Sequence, residues 1–250
     1  MGTYLTLVRR ELGGYFFSLT GYVVIATVLL LLGISFAVML GAYNGQALDA
    51  PLTELFYSTM FFWLIPLISA PVICMRLFAL EKFSGTFETL MTTPVSDRQV
   101  VGAKFTAGWL FYALTWLPLL ACLRIVHNFT TQGTPFDWPV VGTTFAGILL
   151  LGALYVAMGC LASAVTRNQI IAAMLSFALG ISLFLLSFLK FSVTSQAGWV
   201  AKTADYVCLI DHMEDFARGV VDTREVTFYL SFTVLFLFLT LKVVESRRWK

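Results

Sequence analysis

Long apolar runs, each about the length of a bilayer crossing, recur along the chain with short polar stretches between them. Gly21 to Leu40 carries no charge from end to end. As a helix rising 1.5 Å per residue it covers about 30 Å, the thickness of a bilayer's hydrocarbon. Phe56 to Met75 is the second run, interrupted by Pro66 and Pro71. Phe105 to Ile125 is the third, with Pro118 inside and Arg124 near its end. Val140 to Val165 is the fourth and is rich in glycine, Ile170 to Leu189 is the fifth, and Val226 to Val244, dominated by Phe and Leu, is the sixth. Strands of a membrane barrel would be near ten residues and alternate apolar with polar; these runs do neither. The first run is longer than the apolar region of a signal peptide, starts only at Gly21, and has no clear small-residue cleavage site after it, so it reads as a retained span. The pattern predicts an all-α membrane protein: one transmembrane domain over residues 1–250 with six transmembrane helices.

Three polar or amphipathic segments flank these spans. In residues 1–20, Leu5, Val8, Leu12 and Tyr15 recur at helical spacing while Thr6, Arg9 and Arg10 face elsewhere, which describes an N-terminal interfacial helix. Between spans two and three, a helix continuing from the second span is expected to stop at Pro94, because the residue before a proline avoids the helical region. Ser96 with Gln99 then forms a capping box that restarts a helix into span three. The result is a charged elbow, in which Glu81 and Glu88 offer acceptors and Phe83 and Phe87 offer apolar anchors to a soluble partner. Before the last span, Tyr206, Ile210, Met213, Ala217 and Val220 recur at steps of three and four, with Asp205, Asp211, His212, Asp215, Arg218 and Asp222 on other faces. That is an outer amphipathic segment lying near the membrane surface.

Composition narrows the class. Of 250 residues, 59% are hydrophobic and 12% charged, about half the charge of a soluble domain. This excludes a soluble enzyme, a disordered protein and a nucleic-acid-binding module, and a net charge of +2 implies no polyanion partner. Lys and Arg orient the spans: Arg9, Arg10, Arg76, Lys82, Arg98, Lys104, Arg167 and the tail with Arg247, Arg248 and Lys250 fall on one side, so both termini are expected in the cytoplasm and the spans in the inner membrane. Cys74, Cys122 and Cys160 lie in apolar runs and Cys208 stands alone, a pattern of small fillers and not of a disulfide framework.

The chemistry the spans lack is informative. No ionisable residue sits near the middle of any span, which argues against a proton-coupled carrier or pump. No G-x-x-x-x-G-K-[ST] occurs, so ATP has no phosphate-binding loop here. Gly33-Ile34-Ser35 and Gly180-Ile181-Ser182 do not complete a G-x-S-x-G nucleophile elbow, and no HExxH is present. Asp211, His212 and Asp215 make a poor metal motif, one histidine with carboxylates on a surface helix. No catalytic, cofactor or metal residue is therefore assigned. Ala172, Ser176 and Gly180 on the fifth span, and Ala153, Ala157, Gly159 and Ser163 on the fourth, form small-residue rows that let helices approach closely in lipid. Such rows serve contact within one chain or between two subunits.

The run Glu81-x-x-x-Gly85-Thr86-x-Glu88-x-Leu90, followed by Thr93-Pro94-Val95-Ser96-Asp97, resembles that of ABC-2 type transporter permeases and lies where they carry it. The six spans, the N-terminal helix and the short basic turn at Arg167 also match. The segment Ile210 to Asp222 and the final span ending Glu245-Ser246-Arg247-Arg248-Trp249 are similar to the branch with gliding-motility-associated and copper-enzyme-maturation permeases. Phe87 departs mildly, standing where family members often have leucine. The resemblance implies a permease half without catalytic residues, working with a second permease copy and with a separate ABC-type ATP-binding subunit that hydrolyses ATP, in contact with membrane lipid and not with nucleic acid. It implies an exporter whose coupling contact is carried by Glu81, Gly85, Thr86, Glu88, Leu90 and Pro94. It further implies an outer lid over the pathway, built on Tyr206, Ile210, Met213, Phe216, Ala217 and Val220. Two other classes remain open at this level: an ATPase-independent channel or carrier, and a membrane anchor for an ATPase.

Overall fold

Helices form where the apolar runs are long, and they stop where glycine, proline or a captured backbone group interrupts them. The computed structural model of the chain describes residues 2–43, 52–87, 95–129, 138–188, 190, 198 and 206–246. Within these lie α1 (Gly2–Phe16), α2 (Leu19–Tyr43), α3 (Leu52–Tyr57), α4 (Met60–Cys74), α5 (Ala79–Ser84), α6 (Asp97–Phe129), α7 (Trp138–Val165), α8 (Gln169–Leu186), α9 (Leu209–Ala217) and α10 (Thr223–Ser246). No strand occurs among the described residues. Six stretches are long and apolar enough to cross a membrane: Leu19–Ala42, Met60–Ser84, Asp97–Val126, Trp138–Val165, Gln169–Leu186 and Thr223–Ser246. The chain is thus a multi-pass membrane protein with the expected six helices.

Two elements differ in detail from the sequence reading. Phe56 belongs to the separate helix α3 and not to the second span. The second span does not continue as one helix into the elbow. It stops at Cys74, a turn over residues 75–78 follows, and α5 starts at Ala79. The backbone N–H groups of Phe78 and Ala79, which would have closed the next helical turn, donate to Ser163 Oγ on α7 at 3.0 and 3.1 Å.

The bundle is organised around α7. In its apolar stretch 78% of the residues are buried, against 17% for α8 and 22% for α10. Its glycines make this possible. A Cβ at Gly152 would lie 2.0 Å from the Tyr112 ring of α6, and one at Gly159 would lie 2.5 Å from Cys74 of α4. Each neighbour therefore seats into a notch that only glycine leaves open, and dispersion contacts replace the hydrophobic drive that lipid does not supply. The row Ala172, Ser176 and Gly180 on α8 is buried against the same helix. Tyr155 of α7 donates to the carbonyl of Gly180 at 3.2 Å, and its ring would clash with a Cβ there. The small-residue rows are thus consumed inside the chain.

α1 lies along the start of α6. Tyr4 donates to the Gly102 carbonyl and pairs with Thr106 Oγ1 at 2.7 Å, Val8 packs on Ala103 and Ala107, and Tyr15 stacks on Phe111 while donating to the Ile73 carbonyl. Tyr4, not Leu5, completes the inward stripe with Val8, Leu12 and Tyr15; Leu5 is exposed. The turn into α2 is tight enough that a Cβ at Gly21 would meet the Tyr15 carbonyl oxygen at 2.0 Å.

Candidate functional site

The elbow is fixed from several sides. The capping box forms as its residues demand, with Ser96 N–H donating to Gln99 Oε1 and Gln99 N–H to Ser96 Oγ, each at 3.3 Å. This starts α6 and places Lys104 two turns in. Lys104, 2% exposed, meets Glu81 of α5 at 2.9 Å and Glu11 of α1 at 3.2 Å. Arg10 closes the cluster, 2.8 Å from Glu11 and 3.4 Å from Glu81. Two cations face two carboxylates, and the Phe78 ring lies 5.4 Å beneath the ammonium. A buried ammonium is tolerated only with such partners. The hydrogen bond to Glu11, against some burial and helped by the charges of Glu11 and Glu81, raises the Arg10 guanidinium further above its ordinary value.

The opposite flank of the elbow is tied to the end of α7. Ser163, fully buried, accepts from Phe78 and Ala79 and donates to the Met75 carbonyl at 3.4 Å. It caps the start of α5 from another helix. Lys82 reciprocates: its ammonium donates to the Ala164 carbonyl at the last turn of α7, with the Phe87 ring 5.3 Å away. A cation at a helix C-terminus satisfies orphan carbonyls and complements the helix dipole. α5 then stops at Gly85, whose φ of 74° is a left-handed conformation that glycine adopts without strain.

Of the residues picked from sequence, Glu81 is therefore turned into the ion cluster, Gly85 supplies the turn and Thr86 is exposed beside it. Glu88, Leu90 and Pro94 lie outside the described residues. The two anchors divide: Phe83 is 78% exposed, while Phe87 is buried. Sequence did not assign Arg10, Glu11, Lys104 or Ser163 to the elbow: Arg10 and Lys104 entered as orienting charges and Ser163 as part of a small-residue row. Glu11 and Lys104 had one signal, a charge next to an apolar stretch; Ser163 had none beyond its small size.

At the far end, α9 sits across the start of α7. Thr143 shares its hydroxyl proton between the Phe216 carbonyl at 2.8 Å and the Val140 carbonyl of its own helix at 2.9 Å. Thr144 donates to the Val140 carbonyl at 2.7 Å and lies 3.3 Å from the Phe216 carbonyl, and Thr53 of α3 donates to the Ala217 carbonyl at 2.9 Å. The Phe216 and Ala217 carbonyls lie in the last turn of α9, where partners within the helix run out, and the Phe216 carbonyl also accepts from the Gly219 N–H at 3.2 Å just beyond it. The Phe216 ring fills the notch at Gly147, where a Cβ would lie 2.8 Å from it. At the other end of α9, Leu209 N–H donates to Ser187 Oγ at 3.0 Å. Arg218 bridges Glu54 and Glu214 at 2.9 and 2.5 Å, and Lys190 pairs with Asp211. The buried stripe is Leu209, His212, Met213, Phe216 and Ala217; Ile210 is half-buried, and Tyr206 and Val220 are exposed, outside the helix. His212 turns inward onto Phe228 and Tyr229, with ring centroids 5.2 and 5.6 Å away, and burial lowers its pKa against the pull of Asp211, Asp215 and Asp222. Glu225, also buried, lies against Asp215.

Six apolar crossings, an elbow braced at one end and a helix seated across the other define a helical multi-pass membrane protein. A family model described as ABC-2 family transporter protein matches residues 43–243, most of the chain. The chain belongs to that family and is a membrane permease of an ABC transporter. No curated protein matches the chain.

Proposed function

We propose that the chain is the membrane half of an ATP-driven exporter. Two copies, or one with a related permease, line the pathway in the inner membrane, with both termini and the elbow in the cytoplasm. A separate ABC-type subunit binds and hydrolyses ATP and docks on the elbow. Within it, Glu81 holds the elbow to the bundle, Gly85 sets the turn, Phe83 and Thr86 face the partner, and Glu88, Leu90 and Pro94 extend the contact. At the outer face α9, with Tyr206 and Val220 flanking it, is the lid.

The observation that carries this reading is the bracing of the elbow. A solvated loop needs no buried Lys104 and no Ser163 cap, whereas an elbow that receives force must pass it on without yielding. Glu81 and Lys82 tie it to α1, α6 and α7, while Phe83 stands out on its open side. The test is capture of the tagged full-length chain from its native membranes in mild detergent. The complex is expected to carry vanadate-sensitive ATPase activity. Phe83→Asp should lower the recovered activity about tenfold, as loss of one apolar anchor worth about 1.4 kcal/mol would, with helix content unchanged. Capture with no ATPase activity, or undiminished recovery with Phe83→Asp, would count against it.

A further inference from the structure

We propose that α7 is the rod through which the elbow and α9 move together, and that Ser163 at one end and Thr143 with Thr144 at the other are its positioning residues. The proposal rests on the permease reading above and goes beyond it by naming the path between the two ends.

Both ends of α7 are bound to the elements in question by direct hydrogen bonds. At the inner end Ser163 takes two N–H groups of the elbow, and Lys82 of the elbow takes the Ala164 carbonyl. At the outer end Thr143 donates to the Phe216 carbonyl at 2.8 Å, Thr144 lies 3.3 Å from it with its hydroxyl nearer the Val140 carbonyl, and Gly147 receives the Phe216 ring. Thr143 and Ser163 are separated by about 30 Å of helix, a whole hydrocarbon thickness.

The spans joined to the elbow through the chain itself are less suited to this task. α4 contains Pro66 and Pro71, and α6 contains Pro118. Each proline removes an intrahelical hydrogen bond and makes a place to bend. The single proline of α7, Pro139, sits in its first turn, where no intrahelical bond is lost. Three of its four glycines are filled from outside, Gly147 by Phe216, Gly152 by Tyr112 and Gly159 by Cys74, while Gly142 near its start faces open space. Among the routes from elbow to far end, α7 is the one that is unbroken, buried and gripped at both ends.

The experiment uses the full chain with its captured ATPase in right-side-out vesicles. Val220→Cys, at an exposed position just beyond α9, is labelled with a membrane-impermeant maleimide, with the chain lacking this cysteine as background. Vanadate trapping with ATP should change the labelling rate at least about fivefold, the low end of coupling between distant sites. Ser163→Ala should reduce that change to under about twofold. The double variant Thr143→Val with Thr144→Val should do the same without touching the elbow, with ATPase recovery unchanged. Thr143→Ser with Thr144→Ser keeps both hydroxyls and should keep the response; a role in stability alone would move basal labelling and not its nucleotide dependence. A full response in Ser163→Ala and in the valine pair, or no response in the parent with its ATPase bound, overturns the rod. Failure of the parent to capture an ATPase is a different result: the permease reading falls first and the rod with it.

Discussion

Lys104 is a charge held where water barely reaches, and its two carboxylate partners come from two different helices. Glu81 lies 2.9 Å away and Glu11 3.2 Å away, each still partly open to solvent. Replacing Lys104 by Met leaves the two acids facing each other with Arg10 alone between them. The cost should be about 2–3 kcal/mol, below the ~3–5 kcal/mol of a fully buried pair because solvent still reaches the acids. Adding Glu81→Gln to Lys104→Met removes one of the stranded charges. The double variant should then recover about 1–2 kcal/mol relative to the sum of the single changes. Unfolding of the four proteins in detergent measures this cycle, and strict additivity would mean that Glu81 and Lys104 do not support one another. The cluster was only half legible in the sequence. Glu81 stood out because it opens a recognisable motif. Its partners Arg10 and Lys104 belong to helices on either side of it in the chain, and nothing local ties those positions together.

At the scale of elements, α9 shows what local pattern reveals and what tertiary contact adds. Its helical period was legible. Met213 and Ala217 lie in the buried stripe as read, but Tyr206, Ile210 and Val220 do not, and Leu209 and His212 take their place, because the period alone does not say where the helix starts. Cys208 at its N-cap and the Ser187 hydroxyl beneath Leu209 decide that, and they turn His212 inward. The capping box at Ser96 and Gln99, by contrast, was readable because its two partners are close neighbours in the chain. The inward histidine makes the seat of α9 sensitive to pH. Burial among Phe228 and Tyr229 holds His212 below its ordinary value of 6.5, while Asp211 and Asp215 on its own helix and Asp222 beyond it pull the other way. Glu225 of α10 also borders Asp215. An undocked α9 therefore takes up a proton that the docked one refuses. The part of the seat's stability that His212 carries is complete above about pH 6.5 and is lost as pH falls through the lowered docked value. The His212-dependent part of amide hydrogen exchange across Leu209–Ala217, taken as the difference from His212→Phe and corrected for intrinsic rates, should quicken as pH falls from about 7.5 to about 5.5. His212→Phe keeps a ring against Phe228 and Tyr229 and should flatten that dependence; an equal pH response in the variant would place the sensitivity elsewhere.

On the scale of the whole molecule, six crossings put the start of α2 and the end of α10 on the same side. The described Lys and Arg residues divide unevenly between the two ends. Arg9, Arg10, Arg76, Lys82, Arg98, Lys104, Arg167 and Lys242 lie with the elbow, and Arg124, Lys190, Arg218 and Arg224 lie with α9. Acids pair with basic residues at both ends, as Glu81 with Lys104 and Glu54 with Arg218, so the number of Lys and Arg and not the net charge carries the orientation. Basic residues near span ends are retained in the cytoplasm during insertion, so the elbow should face inward and α9 outward. The lipid-facing sides carry the same message about partners: with the small-residue rows packed inside, α8 and α10 present large apolar side chains such as Met174 and Phe238. A second permease copy that joined through α8 or α10 would use broad apolar packing, whereas the exposed face of α2 carries the small row Gly33, Ala37 and Gly41. Topology is the property on which this arrangement depends most directly. Phe83→Cys, 78% exposed on the elbow, should react with an impermeant maleimide only in inverted vesicles, and Val220→Cys, 52% exposed beyond α9, only in right-side-out ones. Labelling of both from the same side would break the six-span count. Labelling of Phe83→Cys from outside would leave the elbow beyond reach of any ATP-binding subunit, because ATP is available to it on the cytoplasmic side alone.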